Sequence, residues 1–197
     1  MGYLFLDTGA MYRAVTWAVL AKGVRPDDER AVANLAETLR MDVQPAQPHL
    51  SRPAGVRVNG EDVGGKLRHA EIEKAVSFVS RIASVRTALV EMQRRLAERG
   101  PIVMSGRDIG TVVLPDADLK VYLEASLERR AARRHAEVAN SELSAIAAEL
   151  SARDRLDSER QISPLRAAPD AIIIETDNLT LEEAVDRVLE IVESKAG

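Results

Sequence analysis

The sequence predicts an α/β fold built around a parallel sheet, and two observations carry that expectation. Short apolar segments, largely β-branched or aromatic, recur along the chain, and stretches of helical periodicity separate them. The first segment, residues 3–7 (YLFLD), is followed by helical periods over 10–22 and 28–40. A further helix is expected over 82–99, closed by Gly100, before a second strand at 102–105 (IVMS). The third strand, 119–123 (LKVYL), precedes helices over 126–139 and 141–155. A fourth, 171–175 (AIIIE), precedes a helix over 181–195 that opens with a Thr180/Glu183 capping box. All four strands read as buried, because they are short, apolar and bounded by turn residues.

The stretch 41–68 breaks the alternation. It holds Pro45, Pro48 and Pro53, three of the eight prolines, then Val56-Arg57-Val58 and an Asn59-Gly60 turn. These features predict a small, mobile insert containing β-structure.

At 197 residues, the length corresponds to one ordinary domain with room for such an insert. With 46% hydrophobic and 29% charged residues the chain is globular, and with no cysteine it carries neither disulfides nor a cysteine–zinc site. No apolar run approaches the roughly 20 residues of a membrane span, so a cytoplasmic protein is expected. The net charge of −4 argues against general nucleic-acid binding, yet 22 of the 27 basic residues are arginine. A guanidinium fork matches phosphate and carboxylate oxygens two bonds at a time, although arginine also serves ordinary helix surfaces.

In open α/β sheets, ligands bind beyond the carboxyl ends of the strands. Two such loops stand out. Asp7-Thr8-Gly9-Ala10-Met11-Tyr12-Arg13 sets an acid and a hydroxyl at a strand tip, with an arginine further along the following helix. Ser105-Gly106-Arg107-Asp108-Ile109-Gly110-Thr111 brackets an Arg-Asp pair with glycines that permit close backbone approach to a ligand. Taken singly, Asp7 reads as a helix N-cap and Arg107-Asp108 as an exposed ion pair of little worth, but two such loops at strand ends together favour the functional reading.

Arg153, Asp157 and Arg160 share one helical face, where the first two can salt-bridge and Arg160 has no such partner. Arg129, Arg130, Arg133 and Arg134 form a dense basic patch that favours an anionic ligand over a merely solvated face. The segment Gly60–Leu67 imitates a phosphate loop, but Leu67 replaces the magnesium-binding hydroxyl and Glu61 and Asp62 would repel phosphate. It reads as a turn in the insert. His49, His69 and His135 lack metal-ligand spacing.

The series DTGAMYR, SGRDIGTVVLPDADLKVYLEAS, the basic RRAARR patch and RDRLDSER, followed by PL and the DAIIIET strand, resembles the bacterial cytidylate kinase family through nearly the whole chain. The turn VNGEDVGGKLR also resembles that family's monophosphate-binding insert. The resemblance implies a P-loop nucleoside monophosphate kinase-like parallel sheet with an insert and a short lid. It implies a core over 1–40, 79–128 and 153–197, the insert over 41–78 and the lid over 129–152. The activity implied is transfer of the ATP γ-phosphoryl group to CMP or dCMP, with Mg²⁺, by a monomer that binds neither membrane nor nucleic acid.

By position, the resemblance gives Arg13, Arg107 and Arg160 the acceptor phosphate. Arg86 and Asp108 would read cytosine, with Thr8 nearby, and Ser77, Arg153 and Asp157 would bind the sugar. Arg130, Arg133 and Arg134 would close over the ATP phosphates, so that Arg107, Arg130 and Arg134 act on the transferring group. Asp7 would orient Mg²⁺ through water. Family members also begin with a buried strand, a glycine-rich phosphate loop and its helix before the segment that here starts at Tyr3. Without these three elements the sheet is expected to lack its central first strand and the kinase to be impaired. A non-catalytic CMP-binding protein and an RNA-contacting protein are the alternative readings. The 3% aromatic content counts against the RNA reading.

Overall fold

A computed structural model describes residues 3–44, 55–138, 142–159 and 163–196. The α/β class is borne out. The chain divides into two compact units, Met1–Ile109 and Gly110–Gly197.

In the first unit, strand β1 (Leu4–Asp7) leads directly into helix α1 (Thr8–Ala21). The helix starts two residues earlier than the periodicity predicts, because the Asp7 side chain accepts a hydrogen bond from the Gly9 backbone N–H and caps it at once. Helix α2 (Glu29–Thr38) is capped by Asp28 in the same way. Strands β2 (Met41–Gln44), β3 (Gly55–Val58) and β4 (Glu61–Asp62) form an antiparallel sheet. The two-residue Asn59-Gly60 turn has φ of 51° and 86°, the left-handed pair that a tight hairpin demands. The phosphate-loop imitation is thus a hairpin followed by a 3₁₀ turn (Gly64–Lys66), with Lys66 paired to Glu61 and lying 5.2 Å over the Trp17 ring. Pro45, Pro48 and Pro53, and with them the expected mobility, lie outside the described residues.

Helix α3 (Ala70–Val79) escapes the sequence reading, although Ile72, Ala75, Val76 and Val79 repeat at helical spacing behind two acidic first-turn residues. The preceding prolines and hairpin mask that period. Helix α4 (Ala83–Ala97) then leads to β5 (Ile102–Ser105), which pairs in parallel with β1, Leu6 beside Met104 and Asp7 beside Ser105.

Helix α1 is the centre of this unit. Met11, Val15 and Val19 meet Val76 and Val79 of α3 and Val85 and Leu89 of α4 in one apolar cluster. Its other side, Ala14 and Ala18, packs with Val56, Val58, Val63 and Leu67 of the antiparallel sheet and its turn. A helix covered on two sides fixes whatever polar residues it carries between them.

A π-helical turn spans Ile109–Val113, where the sequence reading placed a glycine-bracketed loop. In the second unit, β6 (Val121–Glu124) pairs in parallel with β7 (Ile172–Glu175). Helices α5 (Leu127–Glu137) and α6 (Leu143–Ser158) pack together, and α7 (Leu181–Ala196) closes the chain. The expected Thr180/Glu183 capping box forms reciprocally, each residue's side chain meeting the other's backbone N–H.

The expectation of fully buried strands is corrected. Phe5, Val103, Leu123 and Ile173 are 39%, 49%, 57% and 55% exposed. Each of these parallel pairs is a separate two-stranded sheet among the described residues, so one neighbour per strand leaves apolar side chains open.

Candidate active site

The tips of β1 and β5 lie side by side, and most of the expected residues of the first unit gather there. Asp7 ends β1, and its two carboxylate oxygens have separate tasks. Oδ1 accepts from the Gly9 N–H and Oδ2 from Arg13 Nη2, each at 2.9 Å. The helix cap and the functional reading of Asp7 are therefore one arrangement: the cap orients the carboxylate that holds Arg13. Arg13 sits one and a half turns into α1 with 8% of its side chain exposed. A second carboxylate, Glu73 of α3, lies 4.0 Å from Arg13 Nε and 3.7 Å from Arg68, so Arg13 is gripped from β1 and from α3. The sequence reading missed Glu73 together with its helix.

Thr8 Oγ1 donates to the Ser105 carbonyl at 2.9 Å and ties the two strand tips together. Gly106 follows at once, and a Cβ there would lie 2.3 Å from Thr8 Oγ1 and 2.8 Å from the Ile109 side chain. This glycine is required by close approach.

Asp108 does not sit in an exposed ion pair, the alternative to the functional reading of this loop. Asp108 is 6% exposed, and its carboxylate accepts from Arg86 Nη2 of α4. Arg86 Nη1 donates to the Ser80 carbonyl at the end of α3 at 3.2 Å, and its guanidinium lies 5.4 Å from the centre of the Tyr12 ring. The two charges share a desolvated setting that removal of either would leave uncompensated. Arg107 is half-buried, and Ser77 is half-buried on α3. Tyr12, buried beside Arg13 on α1, is a residue the sequence presents only as part of the DTGAMYR motif.

The second unit holds Arg153 and Asp157 on α6. Asp157 is only 1% exposed, in the last turn, where its backbone carbonyl accepts from the Leu165 N–H. Arg160 lies outside the described residues.

The basic patch on α5 does not need an external anion to relieve its repulsion, as its density had implied. Arg129 donates to the Asp177 carbonyl, Arg130 to Asp154 and the Ala125 carbonyl, and Arg134 to Glu137. Arg133 donates to Thr176 and to the Leu179 carbonyl. Acceptors elsewhere in the chain disperse the charge.

Among the described residues no group of three or more His, Asp or Glu side chains is placed to hold a metal ion. Each Asp7 oxygen accepts one hydrogen bond and keeps a second lone pair, so the carboxylate can also accept from a water. No described helix is long and apolar enough to cross a membrane.

A family model described as cytidylate kinase matches residues 1–194. A relative named cytidylate kinase from Geobacillus sp. (strain WCH70) is 46% identical over 201 residues, covering 100% of this chain and 88% of its own length. One of the same name from Geobacillus kaustophilus (strain HTA426) is 47% identical with the same coverage. The like-named protein of Mycobacterium avium (strain 104) is 45% identical over 203 residues, covering 100% of this chain and 86% of its own length. The paired strand tips, the two arginine–carboxylate pairs behind them and these full-length similarities agree: the chain belongs to the cytidylate kinase family of phosphotransferases.

Proposed function

We propose that this protein transfers the γ-phosphoryl group of ATP to CMP or dCMP, giving CDP or dCDP. The observation that carries this reading is the buried Arg86–Asp108 pair beside the β5 tip. A carboxylate there accepts the exocyclic N4–H of cytosine, whereas uracil would turn an O4 acceptor toward it. Specificity for cytosine then follows from the repulsion of the wrong base as much as from attraction of the right one.

Arg13, Arg107 and Arg160 hold the acceptor phosphate in this reading, Thr8 lies beside the base, and Ser77, Arg153 and Asp157 bind the sugar. The grip of Asp7 and Glu73 supports the role of Arg13, because a guanidinium held on two sides loses little freedom when a phosphate arrives. Phosphoryl transfer leaves the protein to align the reactants and neutralise the charge on the transferring oxygens. Arg107, Arg130 and Arg134 supply positive charge for that task, and Arg133 joins Arg130 and Arg134 on the ATP phosphates as the 129–152 lid closes. Closure keeps water from taking the phosphoryl group. Magnesium would screen the phosphate charge when it accompanies ATP; Asp7 serves here as the partner of Arg13.

The reading assigns these residues a CMP grip and phosphoryl transfer to CMP and dCMP. A coupled assay for ADP, run with CMP, dCMP and UMP, tests it beside calorimetric titration with each monophosphate. Turnover of CMP and dCMP in preference to UMP supports the reading. CMP binding with no ADP formed sinks the transfer step, and equal binding of CMP and UMP sinks the base assignment.

A further inference from the structure

We infer that Tyr12 is a positioning residue for base recognition: its ring fixes the plane in which Arg86 presents its charge to Asp108. This inference rests on the assignment of Arg86 and Asp108 to the cytosine base. Tyr12 is 8% exposed in a chain with only 3% aromatic residues, and its ring centre lies 5.4 Å from the Arg86 guanidinium carbon. Arg86 is 3% exposed and is held at its edges by Asp108 and by the Ser80 carbonyl. Hydrogen bonds of that kind constrain the edges of a guanidinium and leave its face open to tilting. A ring whose centre lies 5.4 Å from the guanidinium carbon adds an attraction that restricts that freedom and grows as water is excluded.

The placement of Tyr12 follows from α1. That helix packs against α3 and α4 on one side and against the antiparallel sheet on the other, so it cannot rotate about its axis without disturbing both clusters. Tyr12 therefore transmits the register of α1 to the base-reading pair, while Arg13 transmits it to the phosphate. An error in the Arg86 plane would move the Asp108 carboxylate and blur the distinction between an amino group and a carbonyl on the base. It would leave phosphate and sugar contacts, common to CMP and UMP, largely alone.

The ratio of CMP to UMP affinity is thus the readout, measured by calorimetry on the full chain for wild type, Tyr12→Phe, Tyr12→Leu and Asp108→Asn. Phenylalanine keeps the ring face and is expected to keep the wild-type ratio. Leucine is expected to lower the ratio roughly two- to thirtyfold, the span from an exposed to a desolvated cation–π contact. Proton NMR of the free protein gives a readout independent of ligand: the ring-current shift of the Arg86 δ-methylene persists in Tyr12→Phe and disappears in Tyr12→Leu. A wild-type ratio in Tyr12→Leu with that shift lost overturns the positioning role, while a collapsed ratio in Asp108→Asn in the same series leaves the base assignment standing. An unchanged ratio in Asp108→Asn overturns both.

Discussion

Arg86 and Asp108, 22 positions apart in the chain, are hydrogen-bonded to each other with only 4% and 8% of their side chains exposed. Their burial makes the pair a constraint on the fold as well as a candidate reader of the substrate. Replacing one partner leaves a charge without compensation in a desolvated site, at a cost of about 3–5 kcal/mol. Arg86→Met is expected to lower stability by that amount in urea denaturation, and Arg86→Met with Asp108→Leu to regain most of it. A single variant within about 1 kcal/mol of wild type contradicts this account of the pair.

Gly106 has no room for a side chain. Gly106→Ala drives a methyl group toward Thr8 Oγ1 and Ile109 and is expected to cost about 1–3 kcal/mol. Adding Thr8→Ala removes the nearer obstacle, so the double variant should be more stable than the sum of the two single costs predicts. Strict additivity in chemical denaturation would show that the strand tips relax apart.

The two carboxylates on Arg13 are expected to differ in weight. Asp7 makes the shorter pair and also caps α1, so Asp7→Ala should lower stability by about 1–2 kcal/mol. Glu73→Gln loses a longer contact and should cost about 0.5–1 kcal/mol. Both variants should weaken CMP binding without altering the CMP to UMP ratio, which separates the phosphate end from the base end. A changed ratio in calorimetry contradicts that separation.

The second unit carries an acid-sensitive element. The Asp177 carboxyl is held below the ordinary carboxylate range by the Ser126 backbone N–H, then by the Ser126 hydroxyl. Glu183 is held low by the Thr180 backbone N–H, then by its hydroxyl. A carboxyl depressed in the folded state contributes fully above its unfolded pKa, and the contribution fades as pH falls through the folded value. The midpoint of thermal unfolding should therefore drop on acidification below the ordinary carboxylate range, less steeply in Asp177→Asn and Glu183→Gln. Parallel curves for all three proteins would remove these groups from the explanation.

The Asn59-Gly60 turn offers a check on the hairpin. Gly60 has φ of 86°, where a side chain is strained but meets no neighbour within 4 Å. Gly60→Ala should cost about 1 kcal/mol through backbone strain alone. Circular dichroism melts are sufficient to measure it.

The sequence made legible what depends on near neighbours. Alternating strand and helix periods, the Asp7 cap, the Thr180/Glu183 box and the Asn59-Gly60 turn are each set within a few residues, and all are present in the structure. The motif order that marks the cytidylate kinase family is likewise a property of the linear chain. Helix α3 is legible in Ile72, Ala75, Val76 and Val79, but the proline-rich stretch and hairpin before it obscure that period.

Tertiary structure decided who meets whom. The sequence set Asp108 beside Arg107, and folding gave it Arg86; the sequence set Arg13 after Asp7, and folding added Glu73. It gave the arginines of α5 acceptors within the chain, left apolar side chains of both parallel pairs partly open, and joined Thr8 to Ser105 across 97 positions. Local periodicity specifies which face of an element is apolar, but the partner of a buried charge depends on loop closure and packing between elements far apart in the chain.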